Sequence, residues 1–316
     1  ASGDLQFDVA VNGPPALSSV SGEISLANGQ LAAPTFAQSL KKIAGSVRLV
    51  AGRAQIAMRG ALENGGQITV DGPVNLTQPY QGDVTASLNG IALQDPNLYD
   101  TTVDGAITLS GPLAGGATIS GGLILGRTEL QVPSSGIGAL GDLPDVVHIG
   151  ASNAVRTTLS RADALVTAAV RAETGRRGPV YPIDLKIDAP SKIFIRGRGL
   201  DAEMGGAVSL SGTTRNIIPL GEFSLVRGRL DILQQRFELT EGTATLQGDF
   251  IPQLRLVART EAATGTVVSI IVEGPATAPV VTFTSEPELP QDEVLSQLIF
   301  GRNLTDISPL QAVQLA

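Results

Sequence analysis

Most of the chain alternates between apolar and polar positions. Leu5, Phe7, Val9 and Val11 are separated by more polar residues, and the run ends at Gly13-Pro14. Ile24 and Leu26 continue the period up to Asn28-Gly29, a dipeptide that favours a two-residue hairpin turn. Val47 and Leu49 lead to Gly52, Ile56 and Met58 to Gly60, and residues 67–71 to Gly72-Pro73. Val84, Ala86 and Leu88 follow, then residues 103–109, which close at Gly111-Pro112. Segments 119–125 and 128–132 predict a further hairpin around Gly126. A period of two sends successive side chains to opposite faces of a strand, so each run predicts a strand with one apolar face. The runs recur about every ten residues, the spacing of an antiparallel meander.

Gly-Pro recurs at 13-14, 72-73, 111-112 and 274-275, and another run stops at Gly212. Glycine permits the turn, and proline has no N–H for a ladder, so each pair is expected outside a strand interior. Residues 133–179 break the pattern. A Gly/Ser loop comes first, and 160–173 then reads either as a short capped helix or as a linker. From Val180 the alternation returns more strongly, through Ile183, Leu185 and Ile187, then Val208 and Leu210, Phe223 and Leu225, Leu230 and Ile232, and on to Val281 and Phe283. The expected parts are 1–132 and 180–284 as β body, 133–179 as connector and 285–316 as a different ending. A sheet of so many strands cannot bury its own apolar face while flat. It must curl, fold over or carry an apolar guest.

The ending changes period. Pro290 stands at a helix start, Asp292 and Glu293 fall in the first turn, and Val294, Leu295, Leu298 and Ile299 recur at helical spacing before Gly301. Ser308, Pro309 and Gln311 have the spacing of a second capped helix. The expected fold class is therefore all-β with two short C-terminal helices, which either plug the β body or dock a partner.

Composition narrows the chemistry. The 316 residues include 37 Gly and 19 Pro, with 3% aromatic and 16% charged residues. A net charge of −8, with no basic face interleaved with aromatics, argues against nucleic acid. The absence of cysteine removes thiolate catalysis and disulfides. No apolar run approaches the ~20 residues of a transmembrane helix. No signal peptide is visible, and alternation already running at Leu5 suggests a piece of a longer protein. His148 is the sole histidine and no G-x-S-x-G occurs, so neither an enzyme nor a metal or cofactor site is expected. Residues 197–202, GRGLDA, mimic a dinucleotide fingerprint. A strand, Ala207 to Leu210, follows instead of the required helix, which favours a hairpin turn. Arg196, Arg198, Arg227 and Arg229 flank glycines, either as solvated strand ends or as a rim for phosphate head groups.

Several stretches together carry a resemblance: IFIRGRGLDAEMGG (193–206), GEFSLVRGRLDILQQRFELTEGTATLQGDF (221–250), SEPELPQDEVLSQLIFGR (285–302) and ISPLQAVQLA (307–316). They resemble the C-terminal domain of the TamB family, the translocation and assembly module proteins of diderm bacteria, over roughly 180–316. The resemblance implies a long curled β groove, an open tube with an apolar lining, in the periplasm. It implies an N-terminal inner-membrane anchor that is not visible here, and a reach to the outer membrane. An Omp85-type outer-membrane barrel (TamA-like) is the implied partner and phospholipid the implied cargo. A role in assembling outer-membrane β proteins such as autotransporters, by strand addition, stands as the alternative. The residues expected to line the groove are Ile107, Leu109, Leu123, Leu125, Val208, Leu210, Phe223, Leu225, Leu230 and Ile232. Those expected to dock the partner are Leu295, Leu298, Phe300, Gly301 and Arg302.

Overall fold

The computed structural model describes residues 2–14, 16–33, 38–132, 178–232, 235–262 and 265–300. Its strands are β1 (Ser2–Val11), β2 (Val20–Ala33), β3 (Gln38–Val50), β4 (Arg53–Leu62), β5 (Gln67–Asn75), β6 (Gln81–Asp95), β7 (Tyr99–Pro112) and β8 (Thr118–Leu125). They continue as β9 (Thr128–Gln131), β10 (Pro182–Gly197), β11 (Leu200–Thr213), β12 (Asn216–Ile232), β13 (Gln235–Gln247), β14 (Gln253–Glu261), β15 (Val267–Pro275) and β16 (Val280–Glu286). All sixteen belong to one sheet, followed by helix α1 (Gln291–Phe300). The all-β expectation holds, and the segments on either side of residues 133–177 share the sheet. The loop, linker or helix expected there, and the helix expected from Ser308, lie outside the described residues.

Sequential strands pair as antiparallel neighbours except at one place. β10 runs parallel to β8 and to β9, while both of those run antiparallel to β7. The sheet is therefore mixed, not wholly antiparallel. Nor do 119–125 and 128–132 form a hairpin around Gly126. They are two halves of one line, kinked at Gly126, whose N–H donates to the Thr102 carbonyl at 2.8 Å. A Cβ at Gly126 would collide with the Thr102 hydroxyl, which is why glycine occupies the kink.

Two more turn signals are absorbed inside strands. Asn28-Gly29 is a bulge in β2, which is flanked by β1 and β3 on its two edges and has no room to reverse. Asn28 takes a left-handed φ of 54° and its amide donates to Asp4 Oδ2 at 3.0 Å, while a Cβ on Gly29 would press to 2.9 Å from the Ile43 Cβ. Gly72-Pro73 sits within β5. Pro73 is paired with Gln55 of β4, but the ladder to β6 passes from Asp71↔Thr85 to Val74↔Gly82, so the missing N–H falls in a gap. Gly111-Pro112 and Gly274-Pro275 do end strands. The fingerprint lookalike is a hairpin turn: Arg198 (φ 52°) and Gly199 (φ 85°) join β10 to β11.

Helix α1 begins where its sequence signals put it. The Glu293 and Val294 N–H groups donate to the Pro290 carbonyl at 3.0 and 3.1 Å, and the Leu289 N–H is taken by Ser285 Oγ at 3.0 Å. Val294 and Leu298 then enter the main core, among Ala202, Phe237, Leu239, Ala258, Val268 and Ile270. A smaller cluster, Ala189, Ile193 and Met204, lies beside it.

Candidate functional site

Directly paired residues on neighbouring strands present their side chains to the same face, so the registers decide which residues are brought together. Ile107 pairs with Gly121, Gly121 with Leu185, Leu185 with Leu210, and Leu210 with Pro219. Two residues along, Gly105, Leu123, Ile187, Val208, Gly221 and Leu246 form the next row. Leu109 pairs with Ile119 and Leu125 with Val103. Phe223 faces Gly206 and Ala244, Leu225 faces Met204, and Leu230 faces Leu200 and Phe237, with Ile232 two residues further on. All ten residues expected to line a groove thus share one face.

That face runs on toward the N-terminus. Ile91 pairs with Val103, Leu88 with Ile68, Val70 with Met58, Ile56 with Val47, Val47 with Ile24, and Ile24 with Phe7. At the other end Ala258 pairs with Ile270 and Ile270 with Phe283. The apolar surface is therefore continuous from β1 to β16. Bulges preserve it. Phe223 and Leu225 are odd-numbered while Leu230 and Ile232 are even, so strict alternation would split them. The register shifts between Glu203 and Met204, leaving Val226 as the extra residue of β12, and the apolar set stays on one side. Val226 itself is 55% exposed.

The C-terminal half is curved. One cavity of about 390 Å³ is lined by Ile195 of β10, Leu200, Ala202 and Met204 of β11, Leu254 and Leu256 of β14, and Thr277 and Pro279 of the β15–β16 turn. Strands in a flat sheet are ~4.8 Å apart, which would set β10 and β14 about 19 Å from each other with nothing above them to enclose a space. A second cavity, about 180 Å³, shares Val132, Arg198, Leu200 and Leu256 with the first and extends to Leu239, Ala258 and Ile270.

The four arginines do not form a common rim. Arg198 lies in the β10–β11 turn and lines both cavities. Arg227 and Arg229 flank Gly228 inside β12 and not at a turn. By register, Arg196 is paired with Asp201 and Asp201 with Arg229, while Phe194 is paired with Glu203 and Glu203 with Arg227, all on the face away from the apolar one. There they are engaged in ion pairs: Arg196 with Glu129 and Asp201, Arg229 with Asp201 at 3.1 Å, and Arg227 with Glu203 at 2.7 Å. The Asp201 hydrogen bond, helped by Glu129, holds the Arg196 guanidinium still more firmly protonated than usual. Arg127 and Arg196 both stack on Phe194, at 4.5 and 5.1 Å from the ring centre. Period-two counting from Ile193 and Ile195 already puts Phe194 and Arg196 on the other side. The parity change at Val226 hid the same fact for Arg227 and Arg229.

The residues expected to dock a partner divide as well. Leu298 is 2% exposed and belongs to the core, so it does not face outward. Leu295 is half-buried. Phe300 closes the helix, and Gly301 and Arg302 lie outside the described residues.

The architecture is a single β sheet with one continuous apolar face, ion pairs on the other face and a helix seated at one end. Comparison with known sequences places it in a family. A sequence model of the TamB C-terminal domain matches residues 53–316, and the chain belongs to the TamB family. It is similar to the translocation and assembly module subunit TamB of Haemophilus influenzae, with 29% identity over 126 residues, 38% of this chain. The matched part amounts to 10% of that relative's length.

Proposed function

We propose that the chain is a cell-envelope protein of the translocation and assembly module type, which carries phospholipid across the periplasm with the acyl chains laid against its apolar face. The observation that carries this reading is the unbroken aliphatic surface from Phe7 to Phe283, established pair by pair. Each CH₂ moved from water to such a surface gains ~0.8 kcal/mol, so a chain of about sixteen carbons would lose on the order of 12 kcal/mol by crossing water unaided. Successive rows of Leu, Ile, Val and Ala offer nearly equal surroundings, so movement from row to row needs no chemical step. Arg198, which lines both cavities, would be the arginine to meet a head group. Delivery would be to an Omp85-type outer-membrane barrel, met by Leu295, Phe300, Gly301 and Arg302. The test is lipid mass spectrometry of the purified protein, with and without Leu210→Asp. Phospholipid is expected with the parent and is lost from the variant. A parent free of phospholipid overturns the reading.

A second reading rests on β1. Its one ladder is to β2, its other edge is unpaired among the described residues, and Leu5, Phe7, Val9 and Val11 are all exposed. Such an edge accepts a strand from an unfolded β-rich client. Photocrosslinkers along β1 would capture an outer-membrane β protein during its assembly if this holds. Capture confined to the apolar face of the central strands would count against it.

A further inference from the structure

Helix α1 is seated on the apolar face of the sheet through Val294 and Leu298. Successive helical residues are 100° apart, so Val294 and Leu298 share one side and Ser296 points to nearly the opposite one. All three are buried, Val294 and Ser296 completely. Val294 and Leu298 seat α1 against Phe237, Leu239, Ala258, Val268 and Ile270 of the sheet. Gln291 and Asp292 at its N-terminal end are exposed, and burial starts at Val294.

The surface it occupies is the same apolar face described above. Leu239, Ala258 and Ile270 belong to the core cluster that holds Val294 and Leu298, and they also line the smaller cavity. The helix and the open space are therefore neighbours on one track. Helix and sheet are joined through the short stretch between Glu286 and Gln291.

We propose that α1 is an internal stopper that competes with an acyl chain for the C-terminal end of the apolar face, so that cargo reaches that end only when the helix withdraws. This rests on the lipid reading above and adds that the last segment of the track is closed at rest. A site whose competent state is partly populated binds with an affinity reduced by that fraction. Releasing the helix must then raise apparent affinity, and filling the track must loosen the helix.

Two measurements test this on the full chain. The first compares binding of a fluorescently labelled short-chain phosphatidylglycerol by the parent and by a Val294→Asp/Leu298→Asp double variant, with strand content checked by circular dichroism. Affinity is expected to rise about tenfold or more in the variant. The second uses the parent alone and follows hydrogen exchange at residues 291–300 with and without the same lipid unlabelled. Exchange there is expected to accelerate as lipid binds, and this readout does not depend on the variant folding. Equal affinities together with unchanged exchange overturn the stopper and leave the lipid reading standing. Absence of binding by both proteins overturns the two together.

Discussion

Thr101 and Thr128 meet hydroxyl to hydroxyl at 2.7 Å, both buried, where β7 runs beside β9. They lie on the apolar face, next to the Gly126 kink and beside the parallel step to β10. Each has a weaker alternative, Thr128 to the Gly126 carbonyl at 3.3 Å and Thr101 to the Thr102 carbonyl at 3.4 Å. Thr101→Val therefore strands no hydroxyl completely and should cost about 1 kcal/mol, the low end for a broken buried hydrogen bond. Changing both threonines to valine should cost less than the two single changes added together. A denaturation double-mutant cycle measures the difference, and simple additivity would show that the pair is not coupled.

Leu225 and Val226 are adjacent but belong to different surroundings. Leu225→Asp puts a charge on the apolar face and should lower co-purified phospholipid by about tenfold or more, since even 1.4 kcal/mol of penalty is tenfold. Val226→Asp, at the exposed extra position of the bulge, should leave the lipid content unchanged. Equal losses in the two would detach lipid binding from the face that the register defines.

Gly121 occupies a φ of 150°, and a Cβ there would run into the Ala106 carbonyl of β7. Gly121→Ala should destabilise the protein by about 1–3 kcal/mol or more, with hydrogen exchange rising first in β7 and β8. Gly122, beside it, has open space and no such φ. Gly122→Ala should be far milder, and a comparable loss would refute the steric explanation.

Lys41 hydrogen-bonds Glu63 across the β3–β4 end and holds its carboxyl below the ordinary carboxylate range. A lowered folded-state value means that folding favours the charged form. The contribution is thus present above the unfolded value and fades as pH falls through the folded one. Both groups are exposed, so salt should weaken the effect. An NMR titration should find the Glu63 midpoint low in the parent and back in the ordinary range in Lys41→Met.

The apolar face was legible in the sequence because a period of two survives in almost every strand. Eight of the ten residues singled out share a face for that reason, and Leu230 and Ile232 join them through the bulge at Val226. What sequence concealed was local context. Asn28-Gly29 has the chemistry of a hairpin turn, yet β1 and β3 hold both edges of β2 and convert it to a bulge. Gly126 looks like a turn between two short runs, but its N–H stays bound to β7 and the line carries on. Arg227 and Arg229 were grouped with Arg198 because all three sit by glycines. The extra residue at Val226 turns them outward, a shift that the parity of Leu225 and Leu230 encodes but that side-by-side glycines mask. In α1 the helical period was plain, whereas the strand residues that receive Val294 and Leu298 come from β11, β13, β14 and β15 and leave no local signal.

The strand order has one more consequence. Each strand is held mainly by its immediate neighbours, so the sheet behaves as a ruler laid across the chain direction. At ~4.8 Å per strand the sixteen-stranded sheet measures about 70 Å, and every added hairpin lengthens it by roughly 10 Å without disturbing the rows already present. Insertion or removal of whole hairpins ahead of β10 should therefore be tolerated, with reach scaling in fixed increments. A single inserted strand would reverse the side from which each later turn emerges.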